Sequence, residues 1–94
     1  MNTKEKESRR LRSIKKDLED LGWYVVLSRA SLGPFDLVAI ASVGVVLIQV
    51  KCNSDPGPDE VETISNFRTC PVGTLKQVWR FNDRKKDPIV TTYA

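Results

Sequence analysis

Histidine is absent from the 94-residue chain. Ser-His and Cys-His nucleophilic schemes, His-based metal nucleases and the usual zinc enzymes all need an imidazole, so none of them can operate here. Any catalysis has to run on carboxylates, amides, lysine and a hard metal ion. Cysteine is scarce as well: Cys52 and Cys70 are the only two. They are far apart and lack metal-ligand spacing, which reads as free thiols in a reducing compartment rather than as a disulfide or a zinc site. No apolar run approaches the ~20 residues that cross a bilayer, and no signal-peptide core follows the basic N-terminus. The expectation is a soluble intracellular (cytoplasmic) protein with no membrane partner. Repeats, low-complexity tracts and dividing linkers are also missing, so residues 1–94 are expected to form one domain.

The net charge of +3 is small but unevenly placed. Lys4, Lys6, Arg9, Arg10, Arg12, Lys15 and Lys16 crowd the N-terminus, and Arg84, Lys85 and Lys86 cluster near the other end. Two basic clusters favour an anionic partner such as nucleic acid. The interspersed acids, Glu5 and Glu7 among them, also allow a plain solvated face.

Leu11, Ile14, Leu18 and Leu21 recur at helical spacing, which predicts an amphipathic helix over about residues 4–21 with Gly22 as its stop. "WYVVLSR" (23–29), "FDLVAIA" (35–41) and "VVLIQVK" (45–51) are rich in β-branched residues and read as strands, the last two joined as a hairpin through Val43 and Gly44. "CNSDPGPDE" is a loop, and "DEVETISNFR" a short second helix with Val61, Ile64 and Phe67 on one side. "LKQVWRFN" and "IVTTY" complete an αβββαββ order. Trp23, Tyr24, Trp79 and Phe81 are assigned to packing rather than base stacking, since aromatics on the strands of a small domain are most often core.

Three polar residues interrupt these apolar strands. Alternation puts Gln49 and Lys51 on one face of their strand. With a turn at Val43–Gly44, Ser42 pairs with Val45 and Asp36 falls opposite Lys51 on that same face. An acid, an amide and a lysine then meet at one end of a hairpin. Singly, each has a structural explanation: Asp36 can cap the loop at Gly33 and Pro34, Gln49 can satisfy an edge, and Lys51 can lay its stem over apolar surface. Together they match a chemical use. A carboxylate with a neighbouring oxygen can hold Mg²⁺ or Mn²⁺, which binds a phosphate oxygen and lowers the pKa of a water, while a lysine offsets charge building on phosphorus.

"GPFDLVAI…VVLIQVK" resembles the second and third motifs of the PD-(D/E)XK nuclease superfamily, an Asp opening one strand and a (D/E/Q)xK triplet on the next. "LGWYVVLSRAS" before it is similar to the same stretch in the archaeal-type Holliday junction resolvase branch. The resemblance covers about residues 4–53 and, through element order alone, extends to residue 82. It implies an α/β restriction-endonuclease-like αβββαβ core, a mixed sheet with flanking helices and an extra C-terminal strand. It further implies a metal-dependent endonuclease on DNA, possibly branched, that uses Mg²⁺ or Mn²⁺ and works as a homodimer.

Carried over residue by residue, Asp36 and Gln49 would bind the metal, Lys51 would position the nucleophilic water, and Arg29 and Ser31 would contact the scissile phosphate region. Gln49 stands where most members carry Glu or Asp, which removes one negative charge from the site. The acid expected on the helix, counted back from Gly22, falls on Leu11. Glu7, one turn or ~5 Å earlier along the axis, lies within the apolar stripe and is the displaced candidate ligand. Arg9, Arg10, Arg12 and Lys16 on the same helix are candidates to follow a phosphate backbone. The alternatives are a nuclease-fold DNA-binding protein with weakened catalysis, and a module whose basic helix recruits an acidic protein.

Overall fold

The computed structural model describes residues 3–93, apart from the side chains of residues 3, 4 and 29–32. Helix α1 (Thr3–Asp20) forms where the sequence predicts it, with Ile14 buried at the centre of its apolar stripe and Leu11 and Leu18 packed at the margins. Its exposed side is laced by i,i+4 pairs, Lys15–Glu19 at 2.9 Å and Lys16–Asp20 at 3.5 Å, each of modest value in water. Gly22, at φ 96°, ends it. The N–H groups of Gly22 and Trp23 return to the carbonyls of Glu19 and Leu18, which satisfies two orphan acceptors in a Schellman turn. That reversal carries Leu21 off the core stripe, and it stays exposed.

Five strands make one sheet: β1 (Tyr24–Leu32), β2 (Phe35–Ala41), β3 (Gly44–Cys52), β4 (Leu75–Phe81) and β5 (Ile89–Tyr93), in that spatial order. β1, β2 and β3 pair antiparallel, β4 runs parallel to β3, and β5 returns antiparallel. Parallel neighbours need a crossover, and helix α2 (Pro58–Asn66) lies in it. The architecture is therefore α/β, a mixed five-strand sheet with two helices. Among the described residues no helix is long and apolar enough to cross a membrane.

Strand alternation divides the core between the two faces of the sheet, with a break at Asp36, since Phe35 and Leu37 of β2 fall in different layers. On one, Ile14 of α1 packs on Val25, Leu37, Ala39, Ile48, Val50, Cys52 and Phe81. On the other, Ile64 of α2 packs on Phe35, Leu47 and Val78, with Phe67 edge-on to Phe35 at 5.2 Å between ring centroids. Trp79 and Phe81 belong to the core as expected, whereas Tyr24 is exposed. Both cysteines are free thiols.

The hairpin register differs from the expected one. Ala41 pairs with Gly44 and Leu37 with Ile48, so the turn residues are Ser42 and Val43 rather than Val43 and Gly44. Neither of them has a positive φ; the unusual backbone falls on Gly44, at φ 146°, which serves as the first residue of β3. A glycine supplies that conformation at little steric cost. The shift moves Asp36 from opposite Lys51 to opposite Gln49. Because it amounts to two residues, side-chain parity along the paired residues is unchanged; Asp36 lies just beyond the last pair, Leu37 and Ile48, and its carboxylate turns to the Val50 N–H at the edge of β3.

Candidate functional site

The β2–β3 ladder runs to Leu37 and Ile48, and beyond Ile48 the N–H groups on this edge of β3 need other partners. The side chains of two acids meet them. Asp36 Oδ2 accepts the Val50 N–H at 2.7 Å, and the Cys52 N–H favours the charged form of the nearby Glu7 carboxylate. The two donors are two residues apart on the same edge of β3, so a carboxylate from β2 and one from α1 lie side by side along it.

Burial raises both acids above the ordinary carboxylate range. For Asp36 the loss of solvent outweighs the Val50 N–H and the Lys51 ammonium, which pull the other way. For Glu7 desolvation again leads, opposed by Lys51 and reinforced by the negative charge of Asp36 and Glu60. Each carboxylate thus sits in the electrostatic field of the others, and a further cation would relieve the crowding. Glu7, one helical turn away from the expected position, lies within this cluster rather than beyond it.

Gln49 is buried, 6% exposed. Its Nε2 donates to Glu60 Oε2 at 2.8 Å, and among the described residues its Oε1 has no hydrogen-bond partner. An amide oxygen in that state costs free energy unless something occupies it. Lys51 reaches Glu60 too, at 2.9 Å to Oε2 and 3.1 Å to Oε1. The Lys51 ammonium is the main reason that Glu60 is held below its ordinary range. Glu60 sits in the first turn of α2, where it also accepts the Gly57 N–H at 3.4 Å. The loop before α2 is tied to β4 by an Asp55–Arg80 ion pair at 2.8 Å.

Sequence reasoning brought Asp36, Gln49, Lys51 and Glu7 to one place and missed Glu60. The one signal available was a glutamate three residues after a helix-opening glycine, in "GPDE", which is half of a capping box. As Gly57 has no side chain, only the glutamate half exists, and the rest of its bonding capacity goes to Gln49 and Lys51.

The residues expected to meet DNA do not form one uniform row. Lys6, Arg9, Arg10 and Ser13 line a pocket of about 400 Å³ with Cys52, Phe81, Asn82 and Asp83. Arg10 lies over the Phe81 ring at 4.7 Å and donates to the Lys85 carbonyl at 3.5 Å. Lys6 is paired with Asp83 at 3.1 Å. Arg9 and Arg12 are exposed, and Lys16 is held by Asp20. The side chains of Arg29 and Ser31 lie outside the described residues.

The donor set suits a hard divalent cation: two carboxylates and an unpaired amide oxygen, all oxygen, with more negative charge nearby than Lys51 alone offsets. Among the described residues no three His, Cys, Asp or Glu side chains gather as a group that could hold a metal, so the amide oxygen of Gln49 would have to serve as a ligand in its own right. No protein-family model matches the chain, and no curated protein sequence matches it.

Proposed function

We propose that the chain is a metal-dependent DNA endonuclease of the PD-(D/E)XK type, similar to the archaeal-type Holliday junction resolvases and selective for DNA structure. The observation that supports this reading is the unpaired oxygen of the buried Gln49 amide on β3, on the same strand as Lys51 and next to the strand end where Asp36 accepts the Val50 N–H.

Asp36, Glu7 and Gln49 Oε1 would hold Mg²⁺ or Mn²⁺. When bound, the ion supplies Lewis acidity toward a phosphate oxygen and lowers the pKa of a water. Asp36 is fixed by the Val50 N–H and keeps its other lone pairs available, and Glu7 lies in the field of the same group of charges. Lys51 brings a cation that offsets charge developing on the phosphate and orients the attacking water. Arg9 and Arg12, exposed on α1, would meet the phosphate backbone first, with Arg10 and Lys16 joining only on leaving Phe81 and Asp20, an interaction that weakens steeply with salt. Paired cuts across a branched substrate need two sites related by a two-fold axis, so the working unit is a homodimer.

A second reading is a protein of the same fold that binds DNA but cleaves it weakly. The neutral amide at position 49 favours it, since the site then holds one negative charge fewer.

One experiment separates the two. Labelled four-way, flapped, linear and single-stranded DNA are incubated with the protein and Mg²⁺ or Mn²⁺, comparing wild type with Asp36→Ala, Lys51→Ala and Glu7→Ala. Metal-dependent cleavage abolished by Asp36→Ala and Lys51→Ala supports the endonuclease; cleavage that survives both sinks the site. Tight, salt-sensitive junction binding without cleavage selects the second reading.

A further inference from the structure

We propose that Glu60 is a positioning residue: its carboxylate fixes the Gln49 amide with the oxygen free for a divalent cation, and holds Lys51 beside it through the same group. This role rests on the metal-dependent reading of the site.

A glutamine amide can turn over with almost no change of shape, so its orientation is decided by its partners. At 2.8 Å from Gln49 Nε2 stands a carboxylate, and an ionised carboxylate only accepts hydrogen bonds. Lys51, in contact with both Glu60 oxygens, keeps that carboxylate ionised. The amide therefore presents its NH₂ to Glu60 and turns its oxygen away, and that oxygen is the buried atom without a partner. Had the oxygen faced Glu60, two acceptors would have met and an NH₂ would have been offered to the cation, which it cannot ligate.

Glu60 is itself well anchored. It belongs to the first turn of α2, accepts the Gly57 N–H, and comes just after Pro58 at the helix start, whose ring restricts the backbone there. The chain thus replaces the usual acidic ligand by a pair: a neutral ligand on β3 and, behind it, an acid on α2. Groups that orient a metal ligand from behind typically govern affinity by about 10- to 100-fold.

The test is Mn²⁺ binding to the purified chain, read from the electron paramagnetic resonance of free Mn²⁺, with a thermal melt of every variant. Glu60→Asp keeps the charge and withdraws the contact by one methylene. Its Mn²⁺ affinity is expected to fall at least about tenfold. The double variant Q49E/E60Q conserves net charge and volume and reverses the contact: the new amide at position 60 donates to the new carboxylate at position 49 and accepts from Lys51. It is expected to bind Mn²⁺ as tightly as wild type or tighter, and it carries the test even if Glu60→Asp folds poorly.

Undiminished affinity in a folded Glu60→Asp variant overturns the positioning role, because charge alone then suffices. A folded double variant that binds much more weakly than wild type overturns it as well. If wild type shows no Mn²⁺ binding that Asp36→Ala removes, the metal-dependent reading fails first and the role of Glu60 falls with it.

Discussion

The two ends of α2 solve one problem in opposite ways. Gln49 and Lys76 are the buried polar side chains among the described residues, and each is met by one end of this helix. At the C-terminal end the Lys76 ammonium, 4% exposed, donates to the carbonyls of Ser65 at 3.0 Å and Phe67 at 3.3 Å. It caps the helix where a positive charge is favourable. At the N-terminal end Gln49 gives its NH₂ to Glu60 and keeps an oxygen with no partner. A buried group with its bonds made contributes to stability, whereas one left half-made costs free energy until a partner occupies it.

The largest expected effect tests the unfinished end. Lys51→Ala is expected to lower the rate of metal-dependent DNA cleavage by about 10²- to 10³-fold, and Asp36→Ala at least as much, in single-turnover assays that leave the melting transition in place. Next comes a crossed pair that should separate the two ends. Lys76→Met removes the buried donor to the Ser65 and Phe67 carbonyls and leaves them to the Arg68 guanidinium alone, which should cost about 1 kcal/mol in urea unfolding, with Mn²⁺ affinity unchanged. Gln49→Leu should do the reverse, lowering Mn²⁺ affinity about tenfold or more, as loss of a metal-site group does, while stability moves by less than about 1 kcal/mol because loss of the Nε2–Glu60 bond is offset by removal of a buried, unpaired oxygen. If both variants lost stability and metal affinity alike, the contrast between a finished and an unfinished end would be wrong.

The smallest effect lies outside α2, at Asp83. Hydrogen bonding from the Asn53 side chain and the Lys6 ammonium holds its carboxyl below the ordinary value. A depressed carboxylate contributes stability above its unfolded pKa of about 3.8 and loses that contribution as pH falls through the folded value. Asp83→Asn should therefore lower the melting temperature slightly at pH 7 and not at all at the acid end of the profile. Because the pair is exposed, the difference should shrink further in 1 M salt.

Most of the fold was legible in the sequence, and little of this contrast. Helix α1 and every strand follow from periodicity, which reports burial directly, and a two-residue slip in the hairpin left the faces of the paired residues unchanged because parity survives an even shift. What escaped depended on distance in three dimensions. The N3 position of Glu60 after Gly57 marks it off from Glu62 only as a helix-start residue, yet it turns to Gln49 and Lys51 while Glu62 remains exposed. Lys76, in a strand that reads as half-buried, gave no hint that its ammonium would close a helix. Glu7 lay within the apolar stripe of α1, but only the end of the β2 ladder explains why a carboxylate is wanted there.

The parallel pairing of β3 with β4 also bears on the order in which the chain folds. β1, β2 and β3 close through short turns, whereas Val46 and Leu75, which pair across the crossover, are 29 positions apart (75 − 46). Loop-closure entropy makes such non-local contacts the late ones. Folding kinetics of core truncations check this: Leu37→Ala and Ile48→Ala should slow folding, while Ile64→Ala and Val78→Ala should chiefly speed unfolding. Glu60 travels with that crossover, so the chain gathers Asp36, Gln49 and Lys51 early and receives the acid that orients them only when the sheet is complete.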